Sequence, residues 1–341
     1  MSRISFRKLL REEVARFLDQ HGMTCEATAD AMVELVVSLG HYHEEGIALF
    51  PQVFICDDLD GALAVLQGQD PLVVGEGSRA PATMQDALKR CAPLAQGGWA
   101  IFVSRPEQQF RYGVFRLSAQ PLALTPIEGI ALSGEAGLRV IAAVQAAENV
   151  IHLIGGSDRL EIHLTAENIE EQAQPQDPLA DFADAATSDL AGDQRSDTAR
   201  YLRNALTRIL QRSHGTLIAV VRELPGGRSA LSNHLPFLPP IDVAKRVSDY
   251  KSARGVEELG ALNGASTLLS GALGSDGVTI LTTGATLVAY RAFLPLPAGP
   301  AALPGGARRW AFDTLCGEEV PEAIAAFYQS HDGRRDCRRR Q

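Results

Sequence analysis

Short apolar runs rich in β-branched residues alternate with amphipathic stretches along most of this chain, and the alternation breaks once, across residues 167–198. Strand-like runs interleaved with helix-like runs restrict a chain to α/β or α+β architectures, because each element must bury one face on an element of the other kind. The break is acidic and rich in Ala, Pro and Gln, and residues 171–197 within it read as an interdomain linker with one helical turn at most. For 341 residues, at about 150 residues per domain, two domains are expected. They are an N-terminal domain at 1–170 and a C-terminal one at 198–336, with 337–341 as a basic tail.

In the first half, helical spacing of Leu9, Leu10, Val14, Phe17 and Leu18 marks residues 4–20, and a second helix fits 26–39, closing at Gly40. Residues 52–58 (QVFICDD) read as a buried strand followed by a short helix, and 84–92 as another helix. Residues 98–105 and 109–118 pair as strands across a turn containing Pro106. Further strands fit 138–145, 150–156 and 159–166, so this half is α/β, with α+β as the alternative. VVGEGS (73–78) lacks the Gly-Lys-Ser/Thr ending of a phosphate loop and reads as a turn. His41 and His43 flank a tyrosine near Glu44 and Glu45, a weak metal pattern beside the plainer reading of a polar loop. His152 and His163 sit among apolar strand residues and read as structural.

In the second half, 198–214 is amphipathic, with Tyr201, Leu202, Ala205, Leu206, Ile209 and Leu210 on one stripe. A strand too apolar for a sheet edge follows at 216–223. Residues 239–252 read as a Pro-led helix and 262–273 as another, 277–297 as a hairpin about Thr283-Gly284, and the end as helix, strand and turn. That makes a domain of helices around one mixed sheet.

Net charge is −9, and the last eight residues hold five arginines, so the remaining body is more acidic still. Such a body repels duplex nucleic acid. Five cysteines form an odd set without a CxxC pair, and no window approaches 18 apolar residues. Disulfide stapling, structural zinc, secretion and membrane spanning are disfavoured, and a reduced cytoplasmic protein is expected.

Two places carry unusual polar chemistry. Ser275-Asp276-Gly277 stands at the mouth of a strand, where a carboxylate can hold a divalent metal or orient a ribose and glycine admits a ligand to the backbone. Read alone, Asp-Gly is equally a turn. Gly305-Gly306-Ala307-Arg308-Arg309, at an expected helix start, brings N–H donors, helix dipole and guanidinium charge to one point, which favours phosphate; alone it also reads as an exposed loop.

The order SDGVTIL, ATLVAYRAFLPLP, GGARRWAF and FYQSHDG, preceded by ALTRILQRSHGTLIAVV and LPPIDVAKRVSDY, resembles the diadenylate cyclase domain over roughly residues 200–336. Within that superfamily it looks most like the branch called DACNV, whose members are predicted nucleotide sensors. The resemblance implies Asp276 as the metal- and ribose-facing carboxylate, catalytic only in an active enzyme, with Gly277 beside it. It implies Gly306, Arg308 and Arg309 at the phosphates, Ser330 on the family's serine, Asp242 in the adenine-flanking segment and Leu294 near the base. Asp332 would be a second metal carboxylate for Mg²⁺ or Mn²⁺ carried with the nucleotide.

The departures are chemical. Ala307 stands where the family has a threonine, Arg309 replaces a histidine, Trp310 replaces an arginine, and His331-Asp332 replace two glutamates. Each charge-assisted contact contributes roughly 1.5–3 kcal/mol, so two lost contacts cost about two to four decades in rate while binding survives. The expectation is therefore a sensor of an adenine nucleotide or cyclic dinucleotide, signalling to the N-terminal domain or a protein effector. The rivals are an active cyclase, which needs two domains face to face in a homo-oligomer, and an interaction module with an empty pocket.

Overall fold

The structure, a computed structural model, describes residues 5–118, 121–135, 137–147, 149–165, 167–172, 177–213, 215–224, 226, 229–295, 306–331 and 333–340. The chain divides into two compact units, Met1–Gln176 and Asp177–Gln341, each with helices around a mixed sheet, as the α/β class requires.

The first unit runs α1 (Phe6–Gln20), α2 (Glu26–Gly40), the two-residue strands β1 (His43–Glu44) and β2 (Ile47–Ala48), β3 (Val53–Cys56), α3 (Leu59–Leu66), β4 (Gln69–Ser78), α4 (Pro81–Cys91), β5 (Trp99–Ser104), β6 (Gln109–Arg116), α5 (Pro126–Glu135), β7 (Val140–Ala147), β8 (Val150–Gly155), β9 (Asp158–His163) and β10 (Asn168–Gln172). Its large sheet has the order β10-β9-β8-β7-β3-β5-β6-β4, and only the β3–β5 pair is parallel. Strand alternation sends Val53, Ile55, Ile101 and Val103 into a core with α1, α2 and α4. Phe54, Phe102 and Ala100 go into a second core with α3 and with Ile130 of α5. Coverage on both faces explains why β3 is apolar at every position.

Residues 73–78, expected as a turn, belong instead to β4, an edge strand whose ladder with β6 absorbs two register shifts. The Gly-Glu-Gly punctuation is overridden by ladder pairing with β6. The unit also extends past residue 170, since β10 pairs with β9, Asn168 opposite His163.

The second unit runs α6 (Pro178–Ala186), α7 (Gly192–Leu210), β11 (Thr216–Val221), β12 (Leu235–Asp242), α8 (Val243–Ala253), α9 (Val256–Leu273), β13 (Val278–Thr282), β14 (Thr286–Ala292), α10 (Gly306–Cys316), β15 (Ala323–Gln329) and β16 (Arg335–Arg339). The sheet order is β12-β14-β13-β11-β15-β16, with β11 and β13 parallel. Leu217, Ala219 and Val221 of β11 share a core with Phe312 and Leu315 of α10. Their alternates Ile218 and Val220 point to the opposite face. There α9 packs on β11 and β13, and α6 on β15 and β16.

Three expectations are corrected here. The expected linker at 171–197 holds folded elements instead, with 173–176 outside the described residues: Asp177 caps α6 by accepting from the Leu179 N–H at 3.0 Å, and Pro178 occupies its first turn. Leu179, Phe182, Ala183, Ala185 and Ala186 are buried, with Phe182 edge-on to Phe327 at 5.7 Å. Alanine supplies much of that buried face, so the amphipathic pattern is faint in sequence. Helix α7 starts at Gly192, six residues before its expected start at 198, and Asp197 there pairs with Lys251 of α8 at 2.6 Å. The basic tail is strand β16, paired antiparallel with β15. Finally, Pro239 and Pro240 lie in β12, and α8 begins only at Val243.

Candidate functional site

The parallel β11–β13 pair sets the frame. Its register, Ile218 opposite Thr279, brings Gly277 level with Thr216, so the residues preceding both strands lie at one end of the sheet. Antiparallel β15 ends there too, since Gln329 pairs with Thr216, and so does β14, since Ala292 pairs with Val278. Asp276-Gly277, Leu294, Gly215 and Ser330 therefore gather at one sheet end although they come from four segments.

Two glycines at this end have positive φ and no room for a side chain. Gly277 has φ +94°, and a Cβ on it would stand 2.9 Å from the Ala292 carbonyl oxygen. Gly215 has φ +114°, and a Cβ there would stand 3.0 Å from Cζ of Arg308 and 3.1 Å from the Gln329 carbonyl oxygen. The Arg308 guanidinium thus lies over the bare backbone of Gly215, carried there by the first turn of α10. Asp276 and Gly306 are exposed, Arg308 and Ser330 are half-buried, and Leu294 is buried in the core beneath α10. Ser330 closes the tight β15–β16 turn, its N–H donating to the Arg334 carbonyl at 2.9 Å and its hydroxyl to the same oxygen at 3.2 Å. Asp332 and Gly305 lie outside the described residues.

A rim of hydrogen bonds underlies this end. Buried Gln329 donates from Nε2 to the Leu210 carbonyl at 2.9 Å, and its Oε1 accepts from Arg335 Nε at 2.8 Å. Thr216 donates to the Leu273 carbonyl at 3.2 Å. Gln329 and Arg335 belong to no motif; the sequence signal for Gln329 is a polar residue closing an otherwise apolar strand, and Arg335 is one of a run of arginines.

Two expected site residues lie elsewhere. Asp242 caps α8, accepting from the Lys245 N–H at 2.7 Å, and pairs with Thr286 at the start of β14. The Asp276 end is the other end of β14, six residue steps or about 20 Å away. Arg309 turns from Arg308 toward β15 and β16: its Nε is 3.3 Å from Asp313 and its Nη1 3.5 Å from Asp336. A step of one residue rotates a side chain by about 100° around the helix, so the adjacent arginines leave α10 in different directions. Trp310 packs against the core under α10.

In the first unit, His152 and His163 are structural, as expected. Their Nε2 atoms lie 3.1 and 2.8 Å from the two carboxylate oxygens of Glu161. Burial pushes the Glu161 carboxyl up, but hydrogen bonds from the two histidines outweigh it and hold the group well below the usual carboxylate range. His43 opens the exposed two-residue strand β1, its Nδ1 2.9 Å from the His41 carbonyl. Cys25 carried no sequence signal. It stands in extended backbone just before α2, with Arg79 Nη1 3.9 Å from its sulfur. Burial pushes its thiol up, yet hydrogen bonds from Thr28 and then Arg79 bring it down to about 7. Among the described residues, no group of three or more His, Cys, Asp or Glu side chains is placed to hold a metal ion, and no helix is long and apolar enough to cross a membrane.

No family model matches the chain, and no curated protein or solved structure is significantly similar to it.

Proposed function

We propose that the second unit is a nucleotide sensor, a degenerate relative of the diadenylate cyclase domain that binds an adenine nucleotide or a cyclic dinucleotide. One observation carries the reading: Arg308, at the start of α10, lies over the side-chain-free backbone of Gly215 at the sheet end that also holds Asp276-Gly277 and Ser330. Helix N–H donors and a guanidinium at one point suit a phosphate, and an open carboxylate on a neighbouring loop suits a ribose or a cation. Leu294, buried in the core beside this end, would back a base only through the thin edge it leaves exposed.

The same geometry argues for binding without efficient catalysis. Ala307 offers no hydroxyl, Trp310 is taken up by the core, and Arg309 is engaged by Asp313 and Asp336. Asp276 is one carboxylate, which fits Mg²⁺ or Mn²⁺ arriving on the nucleotide's own phosphates rather than an ion held by the protein alone. Asp276 and the phosphates would hold the ion, which would offset phosphate charge. The bound state would be read by the first unit or by a separate effector protein.

Mass spectrometry of small molecules released from the purified protein, followed by calorimetry with ATP and cyclic di-AMP, tests the reading. Arg308→Ala should weaken ATP about 10- to 100-fold, the loss of a charge-assisted contact, and adenosine hardly at all. Wild-type affinity for ATP in that variant would remove Arg308 from the site. Robust cyclic di-AMP formation from ATP and Mn²⁺ would replace the sensor with a cyclase. No binding at millimolar nucleotide would leave an interaction module.

A further inference from the structure

Strand alternation puts Asp336 opposite Tyr328 and Arg338 opposite Ala326, on the sheet face that α10 covers. There they meet Arg309 and Asp313, which stand one turn apart on α10. Arg309 lies 3.3 Å from Asp313 and 3.5 Å from Asp336, while Arg338 lies 2.9 Å from Asp313 and 3.1 Å from Asp336. The four charges alternate around a closed ring with no like pair adjacent. Both guanidiniums also sit over the Phe312 ring, with Cζ 5.2 Å (Arg309) and 4.9 Å (Arg338) from its centroid, and Arg309 is 5.6 Å from that of Tyr328. One part-exposed ion pair contributes little, but two arginines sharing two carboxylates and an aromatic plate form a network.

This ring joins the first turns of α10 to an edge strand. Arg309 follows Arg308 directly, so pinning Arg309 to β16 fixes the rotation of the turn that lays Arg308 over Gly215. We propose that the Arg309–Asp313–Arg338–Asp336 ring is a clamp that positions Arg308 for phosphate and couples occupancy of the site to strand β16. The proposal rests on the nucleotide reading above. Coupling of this kind is reciprocal: a clamp that favours the phosphate-binding pose of Arg308 is itself tightened when phosphate binds. Arg309, Asp313, Asp336 and Arg338 are positioning residues, acting through Arg308 rather than on the ligand.

The test is a double-variant cycle on the full chain, with ATP and adenosine as probes. Arg338→Ala should weaken ATP about two- to tenfold and leave adenosine unchanged. In an Arg308→Ala background it should add nothing, and Arg338→Lys should recover part of the loss. Additive losses, or equal losses for ATP and adenosine, would overturn the proposal. Hydrogen exchange of the α10 amides without ligand separates the two claims. Faster exchange in Arg338→Ala supports the clamp, and unchanged exchange sinks it even if ATP binds. A wild-type protein that binds neither probe defeats the nucleotide reading, and the coupling falls with it, while faster exchange would still mark the ring as a lock on α10.

Discussion

Each unit has an arginine beside the ends of its parallel strands, and the two are used in opposite ways. In the first unit, Arg105 follows β5 at the carboxyl end of the β3–β5 pair and is 7% exposed. Its Nε and Nη2 lie 2.8 and 2.7 Å from Asp57, and Nη1 donates to the Met23 carbonyl at 2.9 Å and to Thr28 at 3.3 Å. In the second unit, Arg308 stands at the amino end of the β11–β13 pair, half-buried over a glycine. Carboxyl ends of parallel strands are the usual place for ligands in open α/β sheets, yet the first unit fills that end with internal ion pairs. A guanidinium whose donors are consumed by its own fold is a staple. One laid over bare backbone at a rim, half-buried, stands where the nucleotide reading puts an incoming anion.

The largest effect should come from the staple. Arg105→Ala leaves Asp57 only Arg139, 3.5 Å away, and takes the donor from two buried acceptors, and should cost the first unit about 3 kcal/mol, read as a lower thermal midpoint with ATP affinity of the second unit intact. Near-wild-type stability would break the contrast. Gly215→Ala should destabilise by about 2 kcal/mol, since alanine is strained at that φ. Its Cβ also displaces Arg308, so ATP affinity should fall with stability, and loss of stability alone would show that the seat on Gly215 does not matter.

Two smaller effects sharpen the comparison. Asp242→Ala removes a helix cap and should cost about 1 kcal/mol without changing ATP affinity, because Asp242 stands at the far end of β14. A drop in affinity would return it to the site. In the first unit, the open chemistry lies at Cys25. Its thiol is brought down to about 7, whereas burial pushes Cys56 and Cys337 up to about 12 and Cys91 and Cys316 up to about 11. Alkylation by iodoacetamide should therefore modify one thiol of the five, its rate falling as pH drops through about 7. Persistence of that phase in Cys25→Ser would assign it elsewhere.

Much of the fold was legible because its causes are local. Helical spacing marks α1 and α2, the continuous apolar run marks β3 as covered on both faces, and Thr283-Gly284 marks the β13–β14 turn. Even α6, missed as a linker, had its Asp-Pro start in the sequence; its alanine-rich buried face hid it. The candidate site was legible only in part. Asp276-Gly277 and Gly306-Arg308 were visible as motifs, since strand mouths and helix starts have local chemistry. Which of them meet was not, because that depends on strand order and direction. Antiparallel β14 carries Asp242 to the far end, and pairing of β15 with β16 draws Arg309 away from Arg308 and turns an apparently solvated arginine run into a strand with two working faces. Sequence alone determines the elements whose apolar face is written locally, such as α1, α2 and β3, because neighbours along the chain set that pattern; β4, β12 and β16 needed their partner strands. Which end of the sheet a polar residue occupies, and which partners its charge meets, is decided only by contacts between segments distant in sequence.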